Sequence, residues 1–293
     1  MASGGLRYYF ARLNVAEKLI AANAAIFILV GLAVVLLGVS ENAVLNWVEL
    51  PTEFFAFLKQ PWTLVTYSFF HGGFWHLFWN MMILYFVGRI FLNLFDSQRF
   101  LNVYILGVIL GGLVFLLSYN VFPTLLDEST ALIGASAGVT AVLIFICAYI
   151  PNQEVRLFGI LTIKLWYIGA FFVLMDLLKI PYGGNIGGRL AHLGGALLGY
   201  VYARQLLNGR DIGEGFSNFT KGLGNLFKPL KKDPPLKTVY KKNRSKNTKS
   251  AADYDKVAHQ RKVDAILDKI SKSGYESLSK AEKDFLFKAG KED

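Results

Sequence analysis

Ser136, His192, His76 and Asn80 are residue types that can carry out acyl transfer, and all four stand within or at the rims of long apolar runs. A serine hydroxyl is a weak nucleophile until a base takes its proton, and an imidazole that titrates near neutrality suits that task. Ser136 sits in Gly134-Ala135-Ser136-Ala137-Gly138 and His192 in Ala191-His192-Leu193-Gly194-Gly195, so helix packing must bring them together. His76 and Asn80 have i, i+4 spacing and share one helix face. They read either as donors aimed at a developing oxyanion or as polar ties between helices. The Ser136 amide, near the start of its helix, is a further candidate donor. No third, acidic partner is evident, which gives a Ser-His dyad; Asp176 reads as a polar residue at the outer interface without a catalytic role. His71 is expected to bond a loop backbone beside the site. A zinc site is the competing reading, but no HExxH is present and the His71 to His76 spacing does not stack two rings on one helix face. No metal and no cofactor is expected.

Such residues are costly at membrane depth, and membrane depth is where the composition puts them. Of 293 residues, 54% are apolar and 15% aromatic, and the mean hydropathy of +0.39 exceeds that of ordinary soluble domains. Six apolar segments can be drawn, at approximately 20–39, 74–95, 100–120, 131–150, 158–178 and 189–207, each about long enough to cross a roughly 30 Å hydrocarbon layer as a helix. Lys164 interrupts the fifth, which would start instead near Trp166. His76 and Asn80 fall in the first turns of the second segment, Ser136 one to two turns into the fourth, and His192 about one turn into the sixth. Gly195 and Gly199, in a GxxxG arrangement on the sixth, face a fourth segment carrying Gly134 and Gly138. Small residues let two membrane helices approach to side-chain hydrogen-bonding distance.

The expected fold class is therefore an all-α polytopic membrane protein: a cytoplasmic segment 1–19, a six-transmembrane-helix domain 20–207, a basic flexible linker 208–253 and a small cytoplasmic helical module 254–293. Arg7, Arg12 and Lys18 before the first segment, and the basic tail after the sixth, put both termini in the cytoplasm by the positive-inside rule, with Asp127 and Glu128 on the opposite side. The expected location is the plasma (inner) membrane. The net charge of +10 resides mainly after residue 207, where 20 basic residues stand against 12 acidic ones, compared with 11 against 9 before it. A basic tail behind a membrane domain marks the cytoplasmic side rather than a nucleic-acid partner, and leaves open contact with anionic lipid in the bilayer, a cytoplasmic partner, or neither. Ser279 and Glu282 form a capping box ahead of Phe285, Leu286 and Phe287, which predicts a second helix in the terminal module.

Over approximately residues 17–207 the chain resembles the rhomboid intramembrane serine proteases. His71-Gly-Gly-Phe-Trp-His76-Leu-Phe-Trp-Asn80 is similar to that family's HxxxxHxxxN pattern, Gly134-Ala-Ser136-Ala-Gly138 to its GxSx motif, and Ala191-His192-Leu-Gly-Gly195 to its AHxxG motif. Departures occur at Trp62-Thr63, often Trp-Arg in the family, at Ala137, often Gly, and at Leu92, often Glu. The resemblance implies Ser136 as nucleophile, His192 as general base and then acid, His76 and Asn80 as oxyanion stabilisers, and single-pass or polytopic membrane proteins as substrates. A catalytically inactive relative that binds transmembrane helices is the second reading.

Overall fold

The computed structural model describes residues 5–122, 131–157, 160–226 and 251–289. It divides into two compact units, Met1–Pro229 and Leu230–Asp293. The acidic connection with Asp127 and Glu128 and the basic stretch 228–249, a candidate for lipid contact, lie outside the described residues.

The first unit opens with helices α1 (Leu6–Arg12) and α2 (Val15–Leu37). α2 starts at a capping box in which Asn14 and Glu17 exchange side-chain-to-amide hydrogen bonds, and stops at the left-handed Gly38. Three short helices follow, α3 (Glu41–Leu45), α4 (Phe54–Lys59) and α5 (Thr63–Thr66). Trp47, Phe54, Phe55, Leu58 and Trp62 are exposed there, as befits a connection lying in a membrane interface. Trp62 donates its indole N–H to the Trp47 carbonyl at 2.8 Å, tying the two ends of this connection together.

Then come α6 (Phe74–Leu94), α7 (Ser97–Val121), α8 (Ser136–Tyr149), the antiparallel hairpin β1 (Glu154–Leu157) and β2 (Leu161–Lys164), α9 (Leu165–Lys179), α10 (Ile186–Leu207) and α11 (Glu214–Leu226). Asp96 caps α7 by accepting from the Arg99 amide at 2.8 Å. Asn185, itself left-handed, caps α10 by accepting from the Gly188 amide at 3.2 Å. α8 is the centre of the unit: every residue from Ala137 to Cys147 is buried, against α6, α7, α9 and α10.

Small residues make this possible, as the GxxxG spacing predicts. A Cβ on Gly195 or Gly199 would collide with the carbonyl oxygen of Ala137 or Ala141 on α8, and one on Gly111 of α7 would lie 2.6 Å from the Ala137 Cβ. Main chains thus touch where larger side chains would force the helices apart.

Among the described residues, four helical stretches are long and apolar enough to cross a membrane: Val15–Leu37, Phe74–Leu94, Ser97–Val121 and Leu165–Tyr182. The fourth and sixth expected segments are of a different kind. α8 has 14 residues, about 21 Å of helix, and is sheathed in protein rather than lipid. α10 has 22 residues, but its glycines, His192, Arg189 and Arg204 dilute its apolar character.

Three further differences from expectation appear. Residues 131–135 are not helical, because Leu132 and Leu50 exchange backbone hydrogen bonds at 3.0 and 2.9 Å; Ser136 is therefore the first residue of α8 rather than one to two turns inside a helix. Residues 154–157 and 161–164 pair as the small hairpin, Glu154 with Lys164, and the following helix starts beside Trp166, where Lys164 pointed. Part of the expected linker is folded: Asn102 of α7 donates to the Gly213 carbonyl at 3.1 Å and to Ser217 Oγ at 2.7 Å, which fastens α11 to α7.

The second unit contains α12 (Ala251–Ser273) and α13 (Lys280–Ala289). Its capping box is present: Glu282 accepts from the Ser279 amide at 2.7 Å while Ser279 Oγ accepts from the Glu282 amide at 3.4 Å.

Candidate active site

A cavity of about 650 Å³ lies among α6, α8, α9 and α10, and Ser136, His192, His76 and Asn80 all line it. Apart from their sequence positions these residues share little: each comes from the opening turns of its own helix, except that His76 and Asn80 ride together on α6. His71, Gly134, Gly138, Gly195 and Gly199 shape the surroundings without lining the cavity themselves.

Ser136 is half-buried at the first position of α8. Its amide belongs to the first helical turn, where no intrahelical acceptor exists, so it is available to a ligand. The approach to Ser136 is held by contacts to the segment before α6. The Gly134 amide donates to the Tyr67 carbonyl at 3.0 Å, and the Ala135 amide donates to His71 Nε2 at 3.4 Å. His71 is 6% exposed and thus bonds a loop backbone. Its ring meets His76 edge to face, 5.0 Å between centroids.

Gly134 matters for a second reason. Its φ of +121° suits glycine, and a Cβ on it would fall 2.6 Å from His76 Nε2. The bare Cα lets the His76 imidazole reach over the turn that presents Ser136. Asn80 is 7% exposed and donates one amide hydrogen to the His76 carbonyl at 2.9 Å. Asn80 lines the cavity, and its amide carries a second hydrogen beyond this bond.

His192 has a neighbour that sequence reasoning missed. Its Nδ1 lies 3.1 Å from Asp176 Oδ2, α10 to α9. Asp176 also lines the cavity, so the acid read as a polar residue at the outer interface stands beside the candidate site and against His192. The signal available in the sequence was its position as the one acid in α9. Among the described residues no three His, Cys, Asp or Glu side chains group closely enough to hold a metal ion.

Residues 58–209, more than half of the chain, match the model of the rhomboid domain. The chain belongs to the rhomboid family. Among curated proteins this rhomboid is similar to RHOMBOID-like protein 12, mitochondrial, of Arabidopsis thaliana, with 31% identity over 160 residues, 50% of this chain and 47% of that protein. It is also similar to Presenilin-associated rhomboid-like protein A, mitochondrial, of Danio rerio, with 28% identity over 141 residues, 47% of this chain and 36% of that one. The chain thus spans about half the length, or less, of these relatives. Residues 252–289 of the rhomboid match a separate family of unknown function, DUF6576.

The expectation of a plasma-membrane protein with cytoplasmic termini is corrected by these relatives, both of which are named as mitochondrial. The distribution of Lys and Arg orients a chain across a bilayer but carries no information about which bilayer it is.

Proposed function

We propose that this rhomboid is an intramembrane serine endopeptidase acting through Ser136 and His192. The observation that carries the reading is the convergence of Ser136, His192, His76 and Asn80, from three helices, on one cavity. Six helices cross the bilayer in this reading, α8 being the span enclosed by the others, while α10 keeps Leu197, Tyr200 and Val201 exposed on its outer face.

Ser136 Oγ attacks the scissile carbonyl carbon while His192 takes the hydroxyl proton. The tetrahedral oxyanion accepts hydrogen bonds from His76, the free Asn80 N–H and the Ser136 amide. His192 then protonates the leaving amine, and water, deprotonated by the same imidazole, resolves the acyl-enzyme. Phe171, Phe172 and Met175 give the cavity an apolar wall on the α9 side, which suits a substrate that is itself a membrane-spanning segment. Peptide groups inside a helix are protected by their own hydrogen bonds, so the preferred cleavage point carries helix-destabilising residues such as Gly or Pro.

The test is cleavage of a model transmembrane substrate by purified protein in detergent or liposomes, comparing wild type with Ser136→Ala and His192→Ala and including a chelator control. Cleavage lost in both variants and indifferent to chelator is the expected result. Chelator-sensitive cleavage overturns the serine mechanism in favour of a metal, and binding of transmembrane helices without cleavage overturns the enzyme reading altogether.

A further inference from the structure

We infer that Asp176 is a positioning residue for His192, holding its imidazole with a proton on Nδ1 so that Nε2 is the basic nitrogen offered to Ser136. The inference rests on the protease reading above and deepens it. The juxtaposition crosses two helices: Asp176 Oδ2 on α9 and His192 Nδ1 on α10 are 3.1 Å apart. Both side chains are largely withdrawn from solvent, at 18% and 23% exposure.

A carboxylate in an apolar helix is expensive unless it is paired. Lys179, one turn along the same helix, also lines the cavity, yet among the described residues the ion-pair partner of Asp176 is His192. Arg189, the nearest cation on α10, gives its guanidinium instead to the carbonyls of Lys179 and Gly183 at 2.7 and 2.6 Å.

The consequence follows from the ring. An ionised carboxylate only accepts hydrogen bonds, so the 3.1 Å contact requires a hydrogen on Nδ1. In a neutral imidazole that leaves the lone pair on Nε2, on the opposite side of the ring from Asp176. A histidine without such a partner can rotate or place its proton on Nε2, and in either state it is no base toward Ser136. When the imidazolium forms during attack, the same carboxylate faces it and stabilises the charge. Both Asp176 and His192 keep some access to water, so the effect should be smaller than for a fully buried acid.

The experiment uses the full-length protein in detergent with ¹⁵N-labelled histidine, the His192 ring signals being assigned by their loss in His192→Ala. Wild type is compared with Asp176→Ala and with Asp176→Leu, which fills the vacated space. Expected are an Nδ1-protonated neutral His192 in wild type, a shift toward the Nε2-protonated form in both variants, and a fall in kcat of about 10- to 100-fold with KM changed less than about twofold. A carboxylate that merely tied α9 to α10 would move KM or thermal stability and leave the ring tautomer alone. An unchanged His192 signal, or unchanged kcat in both variants, overturns the inference while leaving the dyad standing. A shifted signal in a protein that cleaves no substrate retains the pairing and overturns the protease reading beneath it.

Discussion

Gly195 brings its Cα so close to the main-chain carbonyl of Ala137 that a Cβ would collide with the oxygen. Ala137 follows Ser136 directly and Gly195 lies one turn beyond His192, so this contact governs how closely α8 and α10 approach beside the proposed nucleophile and base. Gly195→Ala should therefore lower cleavage by about 100-fold, the scale of a displacement near 1 Å, with overpacking that destabilises by about 1–3 kcal/mol. Gly31→Ala, on α2 with nothing within 4 Å, is the matched control and should leave activity and melting temperature unchanged.

Gly134→Ala combines two faults, a φ of +121° and a Cβ 2.6 Å from His76 Nε2. The backbone fault alone costs about 1–3 kcal/mol. Removing the ring should relieve the collision but not the backbone strain. In thermal unfolding, Gly134→Ala should thus destabilise less in a His76→Ala background than in wild type; strictly additive effects would show that the two groups do not meet.

Asn80 gives one amide hydrogen to the His76 carbonyl and lines the cavity. If the second hydrogen binds the oxyanion, Asn80→Ala should reduce kcat by about 10²- to 10³-fold with little change in KM. Loss of stability with kcat retained would mark Asn80 as a tie within its own helix.

Asn102 is 2% exposed and hydrogen-bonds the Gly213 carbonyl and Ser217 hydroxyl, beside the Arg99–Asp211 ion pair that also holds this segment to α7. Asn102→Ala leaves the Gly213 carbonyl and the Ser217 hydroxyl to find water, at a cost of about 1–3 kcal/mol. The expected outcome is faster proteolysis within 208–226 and unaltered cleavage of substrate, since none of these groups lines the cavity.

In the terminal module, the hydrogen bond from the Lys269 ammonium, followed by those from the Ser279 amide and hydroxyl, holds the Glu282 carboxyl down at about 2. A carboxylate depressed in the folded state contributes stability that is fully present above its ordinary value of 4.5 and is lost as pH falls toward 2. A carboxyl NMR titration of the full-length protein should give Glu282 a midpoint well below 4.5, and Lys269→Ala should move it upward.

The sequence alone determined which residues to watch. A hydroxyl, an amide and three imidazoles in apolar runs are energetically conspicuous wherever the chain goes, and their types restrict the chemistry to acyl transfer or metal binding. It also determined the helix entry at Ser279, because capping depends on residues three apart, and the close approach of the fourth and sixth segments, because only glycine permits it. The tertiary structure decided what depends on partners distant in the chain. Residues 131–135 look as helical as their neighbours until Leu132 pairs with Leu50 and moves Ser136 to the head of α8. The glycines before α11 suggest a linker until Asn102 supplies a second hydrogen-bonding surface. Asp176 was visible as a lone acid, but an ion pair between two helices has no sequence period, and only packing α9 beside α10 reveals that its carboxylate meets His192.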